Sequence, residues 1–143
     1  MLGPEREEYA TNLAQYAANR VAAEKAARTA LVDARRALAL AMHLSPRNKR
    51  AVVTSFQLAK GIIPDPVESA YSAQSLARLL LARGQMLGKQ GGDENSTLSR
   101  LFIQLAAIMD PRNEDAVYAA EMHRLDHGEV DWSILTDPVN KDP

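Results

Sequence analysis

The sequence contains no cysteine, few aromatic residues and no long apolar run. The missing cysteine excludes a disulfide framework, thiol catalysis and thiolate metal sites, and it suits a reducing compartment. No apolar stretch reaches the roughly 20 residues that a membrane span requires. The first ten residues also lack the basic and apolar regions of a secretory signal. We therefore expect a cytoplasmic protein, or the soluble part of a larger, anchored protein.

Glycine and proline are both missing from residues 5–44, and thirteen of these forty residues are alanine. Alanine is the best helix former, so this composition favours helix strongly. Apolar residues recur there at steps of three and four, as in the seam of a coiled coil. We predict one long helix over 5–44, or two nearly collinear helices with a break near Asn19–Arg20.

One stretch of the sequence occurs twice, at residues 38–52 and 103–117. Both copies place Pro-Arg-Asn after an apolar helical pattern and Ala-Val three residues beyond the asparagine. Proline disfavours helix in the residue before it, and asparagine is a good N-cap, so each copy predicts a helix end followed by a new helix. Asn48 and Asn113 are the predicted caps. Two such corners predict antiparallel helix pairs, and a chain of 143 residues is long enough for one domain over 1–143.

The remaining boundaries come from turn and capping residues. Asp65-Pro66 reads as a helix start, GGDEN at 91–95 as a loop, and Gly128 as a helix end. Gly84 and Gly88 inside a helix indicate close approach of a neighbouring helix. The predicted helices are 5–44, 48–60, 66–90, 96–109, 113–127 and a short 131–136, followed by a frayed tail at 137–143.

These residues resemble the tetratricopeptide repeat family, a helix–turn–helix repeat with small residues at helix crossings and a proline after the second helix. The first corner carries the second-helix pattern as Ala34, Leu38, Ala41 and Pro46. The best complete unit spans 77–111, with its pattern residues at Gly84, Leu87, Gly91, Ser99, Ile103, Ala106 and Pro111. One helix stands between the two corners where alternating repeats need two, so the resemblance is to a divergent member.

The resemblance implies an all-α fold, with antiparallel helix pairs stacked as a short right-handed solenoid or bundle behind a long N-terminal helix. It also implies a non-enzymatic scaffold that binds a protein or peptide on a face lined by first helices. Two stripes with the order basic, amide, basic would line that face, which suits an acidic peptide or a C-terminal carboxylate. The alternative is that both are ordinary solvated helix faces. The candidate residues are Arg50, Gln57 and Lys60, then Arg78, Gln85 and Lys89.

Other functions remain open at this stage. The helix over 5–44 could pair with its mate in a homodimer, which would make the chain an oligomerisation element or spacer. His123 and His127 stand one helical turn apart and are weak candidates for a metal site. The interpretation we favour is that they are exposed helix-end residues, stabilised by the C-terminal end of the helix dipole. We expect no cofactor and no catalytic residue. A sequence pI of about 6.3 argues against nucleic-acid binding.

Overall fold

In a computed structural model, residues 1–136 are described, and all of their regular structure is helical. The all-α class is therefore confirmed for these residues, while the right-handed, repeat-like stacking stays a prediction. The predicted tail at 137–143 lies outside the described residues. The helices are α1 Gly3–Ala23, α2 Arg28–Leu44, α3 Lys49–Ala59, α4 Ala73–Gln90, α5 Asp93–Met109, α6 Glu114–His127 and α7 Ser133–Thr136.

The chain divides into two compact units. Unit 1 comprises Met1–Ala70 and the segment that begins at Trp132, so it contains α1, α2, α3 and α7. Unit 2 comprises Tyr71–Asp131 and contains α4, α5 and α6. That the two units form the single domain predicted over 1–143 stays a prediction.

The predicted helix over 5–44 is a hairpin, and this corrects the expectation of one rod or two collinear helices. The break lies at residues 24–27, beyond the Asn19–Arg20 position that we expected. Arg6 near the start of α1 donates to the Leu44 carbonyl at the end of α2, 2.9 Å away, so the two helices run antiparallel. At the other end of the hairpin, Arg20 and Asp33 form an ion pair at 3.1 Å.

Alanine explains why α1 and α2 pack closely. Their facing surfaces are mostly alanine, whose small side chain lets two helices approach without a void. The apolar seam that could have joined two chains is thereby used within one chain, which removes the basis for a dimer through 5–44. The apolar residues of α1 and α2 that are fully buried are Ala10, Leu13, Ala14, Ala17, Ala18, Val21, Ala30, Ala34, Ala37, Leu40 and Ala41.

The two proline corners have the same conformation. Ser45 and Asp110 hold φ and ψ of −148° and 88°, and of −139° and 81°, and their N–H groups donate to Ala41 and Ala106. Asn48 and Asn113 then accept from the N–H groups of Ala51 and Ala116, at 3.0 and 3.1 Å. Both predicted N-caps are confirmed.

The helix predicted over 66–90 begins only at Ala73, so the start signal read at Asp65-Pro66 was wrong. Residues 62–72 contain no helix. The amide of Asn19 on α1 holds the main chain of Val67 instead: its Nδ2 donates to the Val67 carbonyl at 2.9 Å, and its Oδ1 accepts from the Val67 N–H at 2.8 Å. A helix there would need the same groups for its own hydrogen bonds. Ser72 supplies the true cap, accepting from the Ser75 N–H at 3.1 Å.

In unit 2, α4 and α5 form the main helix pair, and only Gly91 and Gly92 connect them. The helix predicted over 96–109 thus begins earlier, at Asp93, because two glycines at φ of 79° and 95° complete the reversal. Asp93 and Glu94 then lie in the first turn of α5, where the helix dipole favours acids. A Cβ on Gly84 would lie 2.9 Å from Cγ1 of Ile103, so the predicted close approach at this glycine is confirmed.

Candidate functional site

A cleft of about 430 Å³ lies between α1 and the beginning of α3, wholly within unit 1. Three of its lining residues come from α1 at steps of four, which places them on one face of that helix. The others follow the first proline corner. The lining residues are Glu7, Thr11, Gln15, Asn48, Lys49, Arg50 and Val53.

The floor of this cleft is a hydrogen-bond network centred on Asn48, which is only 2% exposed. Its Nδ2 donates to Oε2 of Glu7 at 2.7 Å and to Oγ1 of Thr11 at 2.8 Å, while its Oδ1 caps α3. Ser45 donates its hydroxyl to Oε1 of Glu7. Both carboxylate oxygens of Glu7 are therefore engaged by neutral donors, and the network ties the start of α3 to α1.

Two cations stand at the mouth of the cleft. Lys49 and Arg50 occupy the first turn of α3, and both are exposed. The helix dipole disfavours positive charge at this end, by roughly 0.3–1 kcal/mol for an exposed group. Neither side chain has a hydrogen bond or ion pair with another residue of the described chain. Both charges are thus available to a partner.

Gln15 adds an unused acceptor to the cleft wall. Its Oε1 is buried and has no hydrogen-bond partner among residues 1–136. A buried acceptor without a donor costs about 1–3 kcal/mol, so an N–H group entering the cleft would relieve that cost. The cleft therefore combines two free cations with one acceptor, which is the set needed to hold a peptide's carboxylate and an adjacent N–H.

The first predicted stripe lies on α3, and one of its members lines this cleft. Arg50 is at the mouth, Gln57 is half-buried in the last turn, and Lys60 is the C-cap residue. The Lys60 ammonium lies 5.5 Å from the centroid of the Phe56 ring, where a cation–π attraction operates. Phe56 itself is 59% exposed, so the α3 surface presents an aromatic ring beside its positive charges.

The second predicted stripe lies on α4 in unit 2. Arg78, Gln85 and Lys89 are all exposed there. Arg78 donates to Oγ of Ser75 at 3.1 Å. Since the two stripes belong to different units, a continuous groove lined by both stays a prediction.

Sequence reasoning missed the α1 wall of the cleft. Glu7, Thr11 and Gln15 are polar residues at i, i+4 and i+8 beside the apolar seam of α1. That spacing places them on one helix face, and it could have indicated a polar face of α1 that contacts another element. Lys49 carried a further usable signal, because a cation in the first turn of a helix violates the dipole preference. No feature of the sequence indicated that α3 packs against α1.

The histidine pair lies on α6, where its ring centroids are 6.2 Å apart in an edge-to-face arrangement. Partial burial lowers the pKa of His123, and the neighbouring His127 and Arg100 lower it further. Within residues 1–136, no cluster of three or more histidine, cysteine, aspartate or glutamate side chains could hold a metal ion. The pair therefore lacks a third ligand of that kind in the described part of the chain.

Comparisons of this chain with protein-family models, with curated proteins and with solved structures found no significant match. The tetratricopeptide-like family therefore stays a prediction from the residues. Among the described helices, none combines the length and the apolar character needed to cross a bilayer.

Proposed function

We propose that the chain is a non-enzymatic interaction module that binds an acidic peptide segment or a C-terminal carboxylate at the cleft between α1 and α3. The observation that carries this proposal is the pair of unpartnered cations, Lys49 and Arg50, at the mouth of that cleft. An arginine and a lysine can together hold a carboxylate through charge-assisted hydrogen bonds.

The apolar neighbours of the cations supply a second element of recognition. Val53 is 39% exposed and lines the cleft, and Phe56 lies one turn further along α3. A peptide that places an acidic group over Lys49 and Arg50 would lay an apolar side chain against this pair. Affinity in such sites comes mainly from the buried apolar anchor, while the charges fix orientation and raise the association rate.

The chain itself provides an example of main-chain recognition on α1. Asn19 binds the N–H and the carbonyl of Val67 at once, and the residues around Val67 lack helix. A side-chain amide used in this way recognises a non-helical backbone without regard to its side chains. Gln15, one turn before Asn19 on the same helix, has an amide of the same chemistry and lines the cleft.

The proposal is tested by fluorescence anisotropy with a labelled, Asp/Glu-rich peptide that carries apolar residues and a free C-terminus, alongside its amidated form. Charge reversal by Lys49→Glu or Arg50→Glu should weaken binding roughly tenfold, or about 1.4 kcal/mol, as expected for loss of a charge-assisted contact. Arg28→Glu, an exposed reversal at the start of α2 and outside the cleft lining, is the matched control and should leave the affinity unchanged. Equal affinity of all three variants and the unaltered chain would refute the cleft as the binding site.

A further inference from the structure

The helices α3 and α6 occupy equivalent places in their units, and each presents an exposed stripe. Both begin directly after a proline corner and a capping asparagine of the same conformation. Counting from the residue after each cap, the positions i, i+4, i+7 and i+11 are exposed in both cases and lie along one helix face. The α3 stripe is Lys49, Val53, Phe56 and Lys60; the α6 stripe is Glu114, Tyr118, Glu121 and Leu125.

Both stripes carry large apolar side chains open to water. Phe56 is 59% exposed on α3, while Tyr118 and Leu125 are 66% and 64% exposed on α6. Aromatic side chains with this exposure on a helix surface are typical of the central anchors of protein interfaces.

The charges on the two stripes are opposite in sign, and Lys49 and Glu114 stand at equivalent positions. Lys49 and Lys60 flank the apolar residues of α3, whereas Glu114 and Glu121 flank Tyr118 on α6. Their neighbours in the first turns follow the same rule, with Arg50 on α3 and Asp115 on α6. Within the described chain, Lys49, Lys60 and Glu114 form no ion pair, and Glu121 is paired only with Arg124.

Antiparallel docking of α3 on α6 brings exposed apolar side chains together and also brings opposite charges together. That register sets Phe56 opposite Tyr118 and Lys60 opposite Glu114, and it brings Lys49 beside Leu125, within reach of Glu121 and Asp126. The antiparallel register also sets Val53 opposite Glu121. A parallel register would likewise form one ion pair, Lys49 with Glu114, and one apolar pair, Val53 with Tyr118, but it would set the more exposed Phe56 ring against the Glu121 carboxylate. The antiparallel arrangement is favoured because it pairs the two exposed aromatic rings, Phe56 and Tyr118, which bury more apolar surface together than Val53 and Tyr118 would.

We propose that the partner of the α3 stripe is the α6 stripe of a second copy of this chain. The proposal rests on the proposed function, because it names the acidic and apolar partner that the α3 surface binds. The two surfaces differ, so the contact is heterologous, and each copy keeps a free α3 at one end and a free α6 at the other. Such contacts build closed rings or open filaments.

The first experiment follows the mass of the full chain by sedimentation velocity across a wide range of concentration and salt. Mass should rise with concentration at low salt and fall as salt is added. Lys60→Glu and Glu114→Lys should each lower the association constant roughly tenfold, and a chain carrying both should regain association because the pair is swapped. Glu68→Lys, an exposed reversal in residues 62–72, is the matched control. A chain that stays monomeric throughout, or association that survives both single reversals, would overturn the proposal.

The second experiment uses two variants, each of which retains only one of the two stripes. Phe56→Glu destroys the α3 stripe but keeps α6, while Tyr118→Lys destroys the α6 stripe but keeps α3. Each variant alone should be monomeric, and their mixture should form a one-to-one complex that grows no further. Folding of both is checked by circular dichroism, and two folded variants that fail to combine would contradict the docking.

The labelled acidic peptide, added to the Tyr118→Lys chain, distinguishes this inference from the proposed function. Peptide binding by that variant together with a monomeric unaltered chain would support the peptide module and overturn the second copy as its partner. Assembly of the unaltered chain without peptide binding would support the second copy and overturn the general peptide module.

Discussion

Units 1 and 2 contain the same arrangement of a helix hairpin, a proline corner and a third helix, but they anchor the third helix differently. In unit 1, α3 packs against both α1 and α2, whereas in unit 2 α6 packs chiefly against α5. Asn48 is buried and its side chain bonds to Glu7 and Thr11, while Asn113 is half-buried and its side chain makes only the cap bond within the described residues. The corner therefore forms from residues close together in the chain, as it does in both units. The hydrogen bonds that join the corner to the first helix are a separate tertiary feature, present in unit 1.

The two hairpin turns also differ. Unit 2 reverses direction with Gly91 and Gly92, which adopt positive φ without a Cβ penalty. Unit 1 uses Lys25 and Ala26 at φ of 51° and 63°, a region that costs an ordinary residue roughly 1–2 kcal/mol. The strain persists because the buried faces of α1 and α2 and the Arg20–Asp33 ion pair hold the two helices together.

The largest predicted effect follows from the difference between the two corners. Asn48→Ala should destabilise the protein by about 3 kcal/mol, since it removes an N-cap worth about 1 kcal/mol and a hydrogen bond to a charged group worth about 1.5–3 kcal/mol. Asn113→Ala should lose only the cap, about 1 kcal/mol. Urea unfolding measures both free energies.

Aspartate at the same positions sharpens this test. Aspartate still caps a helix, but at residue 48 it would place a second carboxylate beside Glu7. Asn48→Asp should therefore be destabilising and Asn113→Asp close to neutral. Equal losses in the two corners would show that the Glu7 network adds nothing to stability.

An intermediate effect is expected in unit 2. There, a glycine at one helix crossing allows the close helix approach that alanine allows between α1 and α2 of unit 1. Gly84→Ala places a Cβ 2.9 Å from Ile103 Cγ1 and 3.2 Å from the Ser99 carbonyl oxygen. Overpacking costs about 1–3 kcal/mol and opposes a gain in helix propensity of about 1 kcal/mol, so a net loss of up to about 2 kcal/mol should appear in thermal or urea unfolding.

Gly88→Ala is the control for that substitution. Its Cβ would meet only the Ser99 side chain, with Oγ at 3.1 Å, and a hydroxyl can rotate away. The variant should be neutral or more stable. A loss as large as that of Gly84→Ala would mean that helix contact does not decide the outcome.

The smallest effect concerns the strained turn of unit 1. Ala26→Gly should stabilise the protein by about 0.5 kcal/mol, because relief of the left-handed conformation exceeds the extra entropy that glycine loses on folding. Ala22→Gly, within α1, should instead cost about 1 kcal/mol. Both are measured by urea unfolding, and a destabilising Ala26→Gly would argue against strain at this turn.

Sequence reasoning was accurate where the determinants are close together in the chain. The stops at Ser45-Pro46 and Asp110-Pro111, the caps at Asn48 and Asn113, and the helix end at Gly128 all depend on bonds within a few residues. It failed at residues 24–27 because Glu, Lys and Ala favour helix locally, and nothing in their identity marks a turn. Residues 62–72 were misread for a related reason, since the contact that holds Val67 comes from the distant Asn19.

By itself, the sequence determined that the chain is helical, where its proline corners lie, and that α3 begins with two positive charges against its dipole. These follow from propensities, capping and charge, which act over a few bonds. Only the tertiary structure decided that residues 5–44 fold back on themselves and that Glu7 and Thr11 meet Asn48 to form a cleft. Those contacts join residues that are far apart in the chain, and they depend on which helix faces bury the most apolar surface together.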